Sequence, residues 1–210
     1  YLLRAENGVE IVWCTPYESI GAKVSGENDK TTGGGLAWGG GCSPSLTPNL
    51  VMFTDNRDPV NLLALDMKTG TIVAECPVLD DLPDGYQVAV ENSAIVYDDG
   101  EGTVSTIVCN WFGAGNAGLA DPDNDSSIQS YANIYDTNWL TKGNIMIAPG
   151  VERIDTVKTK NGYEMKSIWC RNDLSDTSIL KLSTATGYIY GYVQDLGSGM
   201  WQFIILDFET

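Results

Sequence analysis

Apolar residues in this chain come in short runs, each closed by Gly, Pro, Asn or Asp. Val9–Trp13, Leu50–Thr54, Asn61–Leu65, Thr71–Ala74, Ala94–Tyr97, Val104–Cys109, Val151–Val157, Tyr163–Trp169, Tyr188–Val193 and Met200–Phe208 are aliphatic, β-branched or aromatic, and each predicts a strand. Roughly ten to fourteen short strands with turn signals between them predict an all-β domain. Helical spacing is found, weakly, over Ser126–Tyr135.

The stretch Asp66-Met-Lys-Thr-Gly70 between two such runs poses a specific question, because Lys-Thr beside glycine also occurs in phosphate-binding loops. Those loops need G-x-x-x-x-G-K-[ST] between a strand and a helix. Here Lys68 precedes its glycine and a second strand follows, so the pattern predicts an antiparallel hairpin whose glycine supplies a positive φ.

The hairpin recurs. Leu2–Trp13 repeats the order apolar strand, polar turn, glycine, apolar strand, and Ile204-Ile-Leu-Asp-Phe-Glu-Thr210 repeats Leu62-Leu-Ala-Leu-Asp-Met-Lys-Thr from its aspartate. A second recurring unit opens each group of strands, Cys42–Thr47 before Leu50 and Ser178–Ser183 before Tyr188. Four-stranded antiparallel units repeated about every 40–50 residues are the blades of a β-propeller. About four blades are expected in one domain over 1–210, the third enlarged by an insertion over about 110–144. Because the chain opens on the last two strands of one blade and stops before the last strand of another, the units are expected either to form part of a larger ring, of about seven or eight blades, or to close between the two ends.

Leu-Ala-Leu-Asp-x-Lys-Thr-Gly-x-Ile-Val resembles the repeat of the quinoprotein-like (PQQ-like) propellers. Gly-Gly-Gly-Cys-Ser-Pro-Ser-Leu at 39–46, Phe53–Pro59, Glu91–Ser93, Pro149–Asp155 and Lys181–Tyr190 are similar to uncharacterised bacterial exported proteins of that superfamily. The resemblance implies a secreted or cell-envelope propeller and says little about activity. The superfamily's alcohol dehydrogenases hold PQQ with a vicinal disulfide and a calcium ion. This chain has no adjacent cysteine pair, so the resemblance does not extend to PQQ.

Composition narrows the chemistry further. With 28 acidic against 12 basic residues the net charge is −16, which repels nucleic acid and anionic membranes. No run of ~18 apolar residues is present to span a membrane, and no signal segment opens the chain. Cys14, Cys42, Cys76, Cys109 and Cys170 form no C-x-x-C pair, which argues against a zinc or Fe–S site. Free thiols and one or two long-range disulfides both remain open. There is no histidine, so Ser-His-Asp and Cys-His catalysis and histidine-ligated metals are excluded within this chain.

Four stretches could carry a site. Asp121, Asp123 and Asp125 alternate along one loop, the arrangement that aims several hard oxygens at one calcium ion; a solvated acidic loop would look the same. Asp55 and Asn56 follow a buried-looking strand and either face a ligand at the propeller mouth or close their own turn. Glu91 and Asn92 could bind a polar ligand or cation, or cap a strand end. Trp111 opens a glycine-rich loop, Gly113, Gly115 and Gly118, that reads G-x-G-x-x-G but leads into Leu-Ala-Asp-Pro-Asp rather than a helix, so it lacks the phosphate-binding helix N-terminus. Trp111 either stacks on a sugar or packs in the core. The reading is a non-catalytic binding or scaffold module for a protein or carbohydrate ligand, or for the remainder of a propeller, with calcium as its cofactor. The competing reading is an enzyme, a propeller oxidoreductase or another carboxylate-dependent catalyst, at the central funnel.

Overall fold

The computed structural model of the chain describes residues 1–6, 8–19, 42–55, 57, 59–82, 88–111, 148–176, 178–195 and 200–209. Every regular element among them is a strand, and every pairing is antiparallel. None of the described residues forms a helix long and apolar enough to cross a membrane. The stretch 126–135, with its helical spacing, lies outside the described residues, as does most of the insertion.

Four sheets follow one another along the chain. Sheet I is the hairpin of β1 (Leu2–Ala5) and β2 (Val9–Trp13). Sheet II is a meander of β3 (Ser45–Leu46), β4 (Leu50–Thr54), β5 (Asn61–Asp66) and β6 (Ile72–Pro77). Sheet III repeats it with β7 (Ile95–Asp98), β8 (Thr103–Cys109), β9 (Val151–Thr159) and β10 (Gly162–Arg171). Sheet IV holds β11 (Leu174–Asp176), β12 (Lys181–Ser183), β13 (Tyr188–Asp195) and β14 (Trp201–Asp207). There β11 and β12 share one edge of β13 and β14 takes the other. Where that edge strand is interrupted, Leu180 folds over Gly191, and a Cβ added to Gly191 would lie 2.2 Å from Leu180 Cδ2.

The sheets stack face to face in chain order, because each central strand alternates its side chains between two cores. On β4 and β5, Leu50, Met52, Leu62 and Ala64 face sheet III, where Val104, Val108 and Ile154 complete one core. Val51, Phe53, Leu63 and Leu65 face the other way, toward Trp13 of sheet I. Sheet III divides likewise, sending Ile107, Cys109 and Val151 against Leu174, Ile189 and Val193 of sheet IV. First strand packs by first strand and last by last: β3 meets β7, β6 meets β10, and Ser45 Oγ donates to the Ala94 carbonyl at 3.0 Å.

The Asp66–Gly70 segment is the β5–β6 turn. Gly70 N–H donates to the Asp66 carbonyl at 2.8 Å, and Asp66 Oδ1 accepts from Lys68 N (2.9 Å), Thr69 N (2.8 Å) and Thr69 Oγ1 (3.0 Å). Those bonds, from Thr69 above all, hold the Asp66 carboxyl below the usual carboxylate range. Gly70 has φ +72°, and Trp13 packs directly on its Cα. The β12–β13 turn uses the same device, with Gly187 at φ +72° donating to the Ser183 carbonyl at 2.9 Å.

Candidate functional site

Strand direction sorts the connections into two ends. The tight turns β3–β4, β5–β6, β7–β8, β9–β10 and β12–β13 lie at one end; β4, β6, β8, β10 and β13 finish, and β5, β7, β9, β11 and β14 start, at the other, the link end. Asp55, Glu91, Asn92 and Trp111 all belong to the link end. Asn56, Asp121, Asp123 and Asp125 lie outside the described residues.

A buried polar network builds this end. Asn110 Nδ2 donates to the Pro149 carbonyl (3.0 Å), its Oδ1 accepts from Ala89 N (3.2 Å), and its N–H reaches the Gly150 carbonyl (2.8 Å). Gly150 N–H continues to the Leu174 carbonyl at 2.9 Å. Gly150 holds φ +134°, and a Cβ there would come within 2.9 Å of Leu79. Thr54 Oγ1 donates to the Val90 carbonyl (3.2 Å), tying sheet II to the segment that enters sheet III.

Within that frame the predicted residues differ in kind. Asp55 is fully buried and fully engaged: Oδ1 accepts from Arg57 N (2.9 Å) and Asn61 N (2.8 Å), while Oδ2 accepts from Arg57 Nε and Asn61 Nδ2 (3.3 Å). It closes the turn between β4 and β5 and stands apart from Glu91 in function. Glu91 is buried, 9% exposed, and neither carboxylate oxygen finds a partner among the described residues. Asn92 Nδ2 and Trp111 Nε1 are likewise buried and unpaired. Trp111 N–H donates to the Ala89 carbonyl at 2.7 Å, which sets the tryptophan beside the link segment that carries Glu91. Burial pushes the Glu91 carboxyl above the usual glutamate range.

Buried charge elsewhere was not foreseen. Glu152 on β9 accepts from Leu79 N at 2.5 Å, and burial raises its pKa, partly offset by hydrogen bonds from Ser167 and Leu79. It lies among the thiols of Cys76 and Cys170, both pushed up to about 12 by burial first and by Glu152 next. All five cysteines carry free thiols. Cys109, also buried, is pushed upward by burial and by Asp176. Arg153 donates to Asp155 (2.9 and 3.0 Å), the Phe208 carbonyl (2.7 Å) and Glu209 (3.0 Å), with its guanidinium 3.8 Å over the Phe208 ring. The only sequence signal for these was the string Glu-Arg-Ile-Asp inside a strand, where charge must find partners.

Glu91 lines neither of two open clefts. One of about 630 Å³ lies at the turn end, among Pro48, Asp98, Gly102, Lys158 and Tyr163; another of about 450 Å³ separates β7 from β12. Among the described residues no three Cys, Asp or Glu side chains gather as a metal site.

No protein-family model matches the chain, and no curated protein matches it. Among solved structures it is similar to the complex of the fission yeast SREBP–SCAP binding domains, at 11% identity and a TM-score of 0.36, over 78% of this chain. It spans 36% of that chain's length. A likeness this weak carries no argument about fold or function.

Proposed function

We propose that this chain is a propeller-type binding module of the quinoprotein-like kind, exported from the cytoplasm, whose ligand is a neutral hydroxylated molecule such as a carbohydrate. The observation that carries the ligand reading is the set of buried, unpaired groups at the link end: a carboxyl with both oxygens open and two N–H donors. Leaving such groups unpaired costs about 1–3 kcal/mol each, a cost a ligand with alternating hydroxyl donors and acceptors removes. A cation would satisfy Glu91 but not the N–H groups of Asn92 and Trp111, which only donate. A catalytic reading requires a second carboxylate converging on Glu91, and Asp55, the other described carboxylate of the predicted set, is committed to Arg57 and Asn61. Face-to-face stacking of meander sheets in chain order supports the propeller reading.

Calorimetric titration with maltose, cellobiose and lactose tests the ligand. Saturable heat is expected with at least one sugar, weakened tenfold or more by Glu91→Gln. Absence of heat with all three, together with unchanged amide NMR spectra, would remove the site from the account.

A further inference from the structure

Cys76 and Cys170 hold matching places in neighbouring sheets. Each is the last residue but one of the last strand of its meander, β6 or β10, and these two strands pack on each other at the junction of sheets II and III. Register turns both thiols toward that junction. Cys76 pairs with Leu62, and Cys170 with Glu152, two places along β9 from Ile154; Leu62 and Ile154 both belong to the core of the junction. Plain alternation from Ser167 would turn Cys170 the other way, and the bulge between Ser167 and Trp169 brings it round. Both cysteines are half-buried against that core. The link after β6 is tied to the same spot: Leu79 N–H donates to Glu152, Asn172 Nδ2 donates to the Asp81 carbonyl at 2.8 Å, and Cys170 Sγ donates to Asn172 Oδ1 at 3.1 Å. Glu152 and Asp80 act on both thiols, which sets the two sulfurs around one acidic centre. Of the other cysteines, Cys109 and Cys42 lie in the two remaining cores and Cys14 is exposed. Cys76 and Cys170 are the two that share a core.

We propose that Cys76 and Cys170 form a redox pair, joined into a disulfide between sheets II and III by exchange with a small disulfide such as oxidised glutathione. In the first step one cysteine, as its thiolate, attacks a sulfur of the reagent, forming a mixed disulfide and releasing one reduced thiol. In the second, the other cysteine's thiolate attacks the protein sulfur of that mixed disulfide and displaces the second reduced thiol. Two protein thiols are oxidised, one reagent disulfide is reduced, and the two protons end on the released thiols. Oxidants of this class prevail outside the cytoplasm. Glu152, Asp80 and Asp81 are the acids that face the pair, and with burial they disfavour the thiolate, so exchange is slow near neutrality and quickens as pH rises. The same sulfurs are poor leaving groups, so the bond resists reduction once made. The pair does not depend on Glu91 or its ligand, so either reading can fail alone.

Redox titration of the whole chain tests it, with Cys14→Ser in place so that the exposed thiol takes no part. Reduced protein is equilibrated at pH 9 with glutathione at rising ratios of oxidised to reduced form, then alkylated in urea and weighed by mass spectrometry. Two of the four remaining thiols are expected to escape alkylation at the oxidising end, with no glutathione attached to them. The melting temperature is expected to rise by about 10 °C with the bond formed. Adding Cys76→Ser or Cys170→Ser abolishes both effects, with circular dichroism confirming the fold; should either fail to fold, Cys76→Ala or Cys170→Ala replaces it. Four alkylated thiols at every ratio, or glutathione retained on Cys76 or Cys170, overturns the proposal and places the two Cα atoms beyond the roughly 7 Å that a bridge spans. Loss of two thiols that persists in Cys76→Ser overturns it as well.

Discussion

At Gly70 two demands meet in one residue. Its φ of +72° lies where a side chain costs about 1–2 kcal/mol, and a Cβ would lie 2.5 Å from Trp13 Cδ2 and 2.7 Å from Thr15 Oγ1. Trp13 Nε1 is itself fixed on the Met67 carbonyl at 3.0 Å, so the ring cannot retreat freely. Gly70→Ala is expected to destabilise by about 2–4 kcal/mol, whereas Gly187→Ala, with the same φ and open space around it, costs about 1 kcal/mol. Urea denaturation of the pair checks the contrast; equal losses would mean the Trp13 contact contributes nothing. Sequence showed the turn and its positive φ but not the tryptophan, which comes from the repeat before. Glu91 gives a second prediction. Its folded-state pKa exceeds the unfolded value, so between the two the native state holds more protons, and its contribution to stability is lost as pH rises through the glutamate range and above. Glu91→Gln is expected to gain stability relative to the parent as pH rises through the glutamate range and above, read from urea midpoints. A difference independent of pH would overturn the upward shift, and one that grows in Glu91's favour as pH rises would show the carboxylate to be paired.

Between elements, Arg153 is the clamp of the junction between sheets III and IV. Its guanidinium is buried, bonded to Asp155 and to the Phe208 carbonyl, and lies over the Phe208 ring, while Trp169 Nε1 donates to that same carbonyl at 3.0 Å. Removing one member of a buried ion pair strands the other, so Arg153→Ala is expected to cost about 3–5 kcal/mol, and Arg153→Lys recovers only part because it loses the two-pronged bond. Thermal unfolding of both variants decides it; a near-neutral Arg153→Ala would show that Asp155 is hydrated. The central strands were legible: Val9–Trp13 and Leu50–Thr54 form as their apolar runs predict, and the other predicted runs form with shifted ends. Less legible were β3, β11 and β12, two or three residues long, whose place is set by the longer strand they flank. Asp55 and Glu91 read alike in sequence as acids at strand ends. Only the approach of Arg57 and Asn61 tells the engaged carboxylate from the open one, and that approach depends on tertiary placement.

For the whole molecule, calcium at Asp121, Asp123 and Asp125 has its own test. Millimolar calcium is expected to raise the melting temperature by a few degrees, reversibly on chelation and more than equal magnesium does. Equal effects of the two ions would report mere screening of the −16 charge. Stacking in chain order has a last consequence, for the way the protein opens. Each sheet forms from neighbours in sequence and, among the described residues, packs mainly on the sheets before and after it, so stability is shared between adjacent units as along a short row. Sheets II and III are covered on both faces and IV on one, while sheet I meets the rest mainly through Trp13. Native-state hydrogen exchange should therefore release the amides of β1, β2 and β14 first and hold those of β4, β5, β8 and β9 longest, a gradient running inward from both ends of the row.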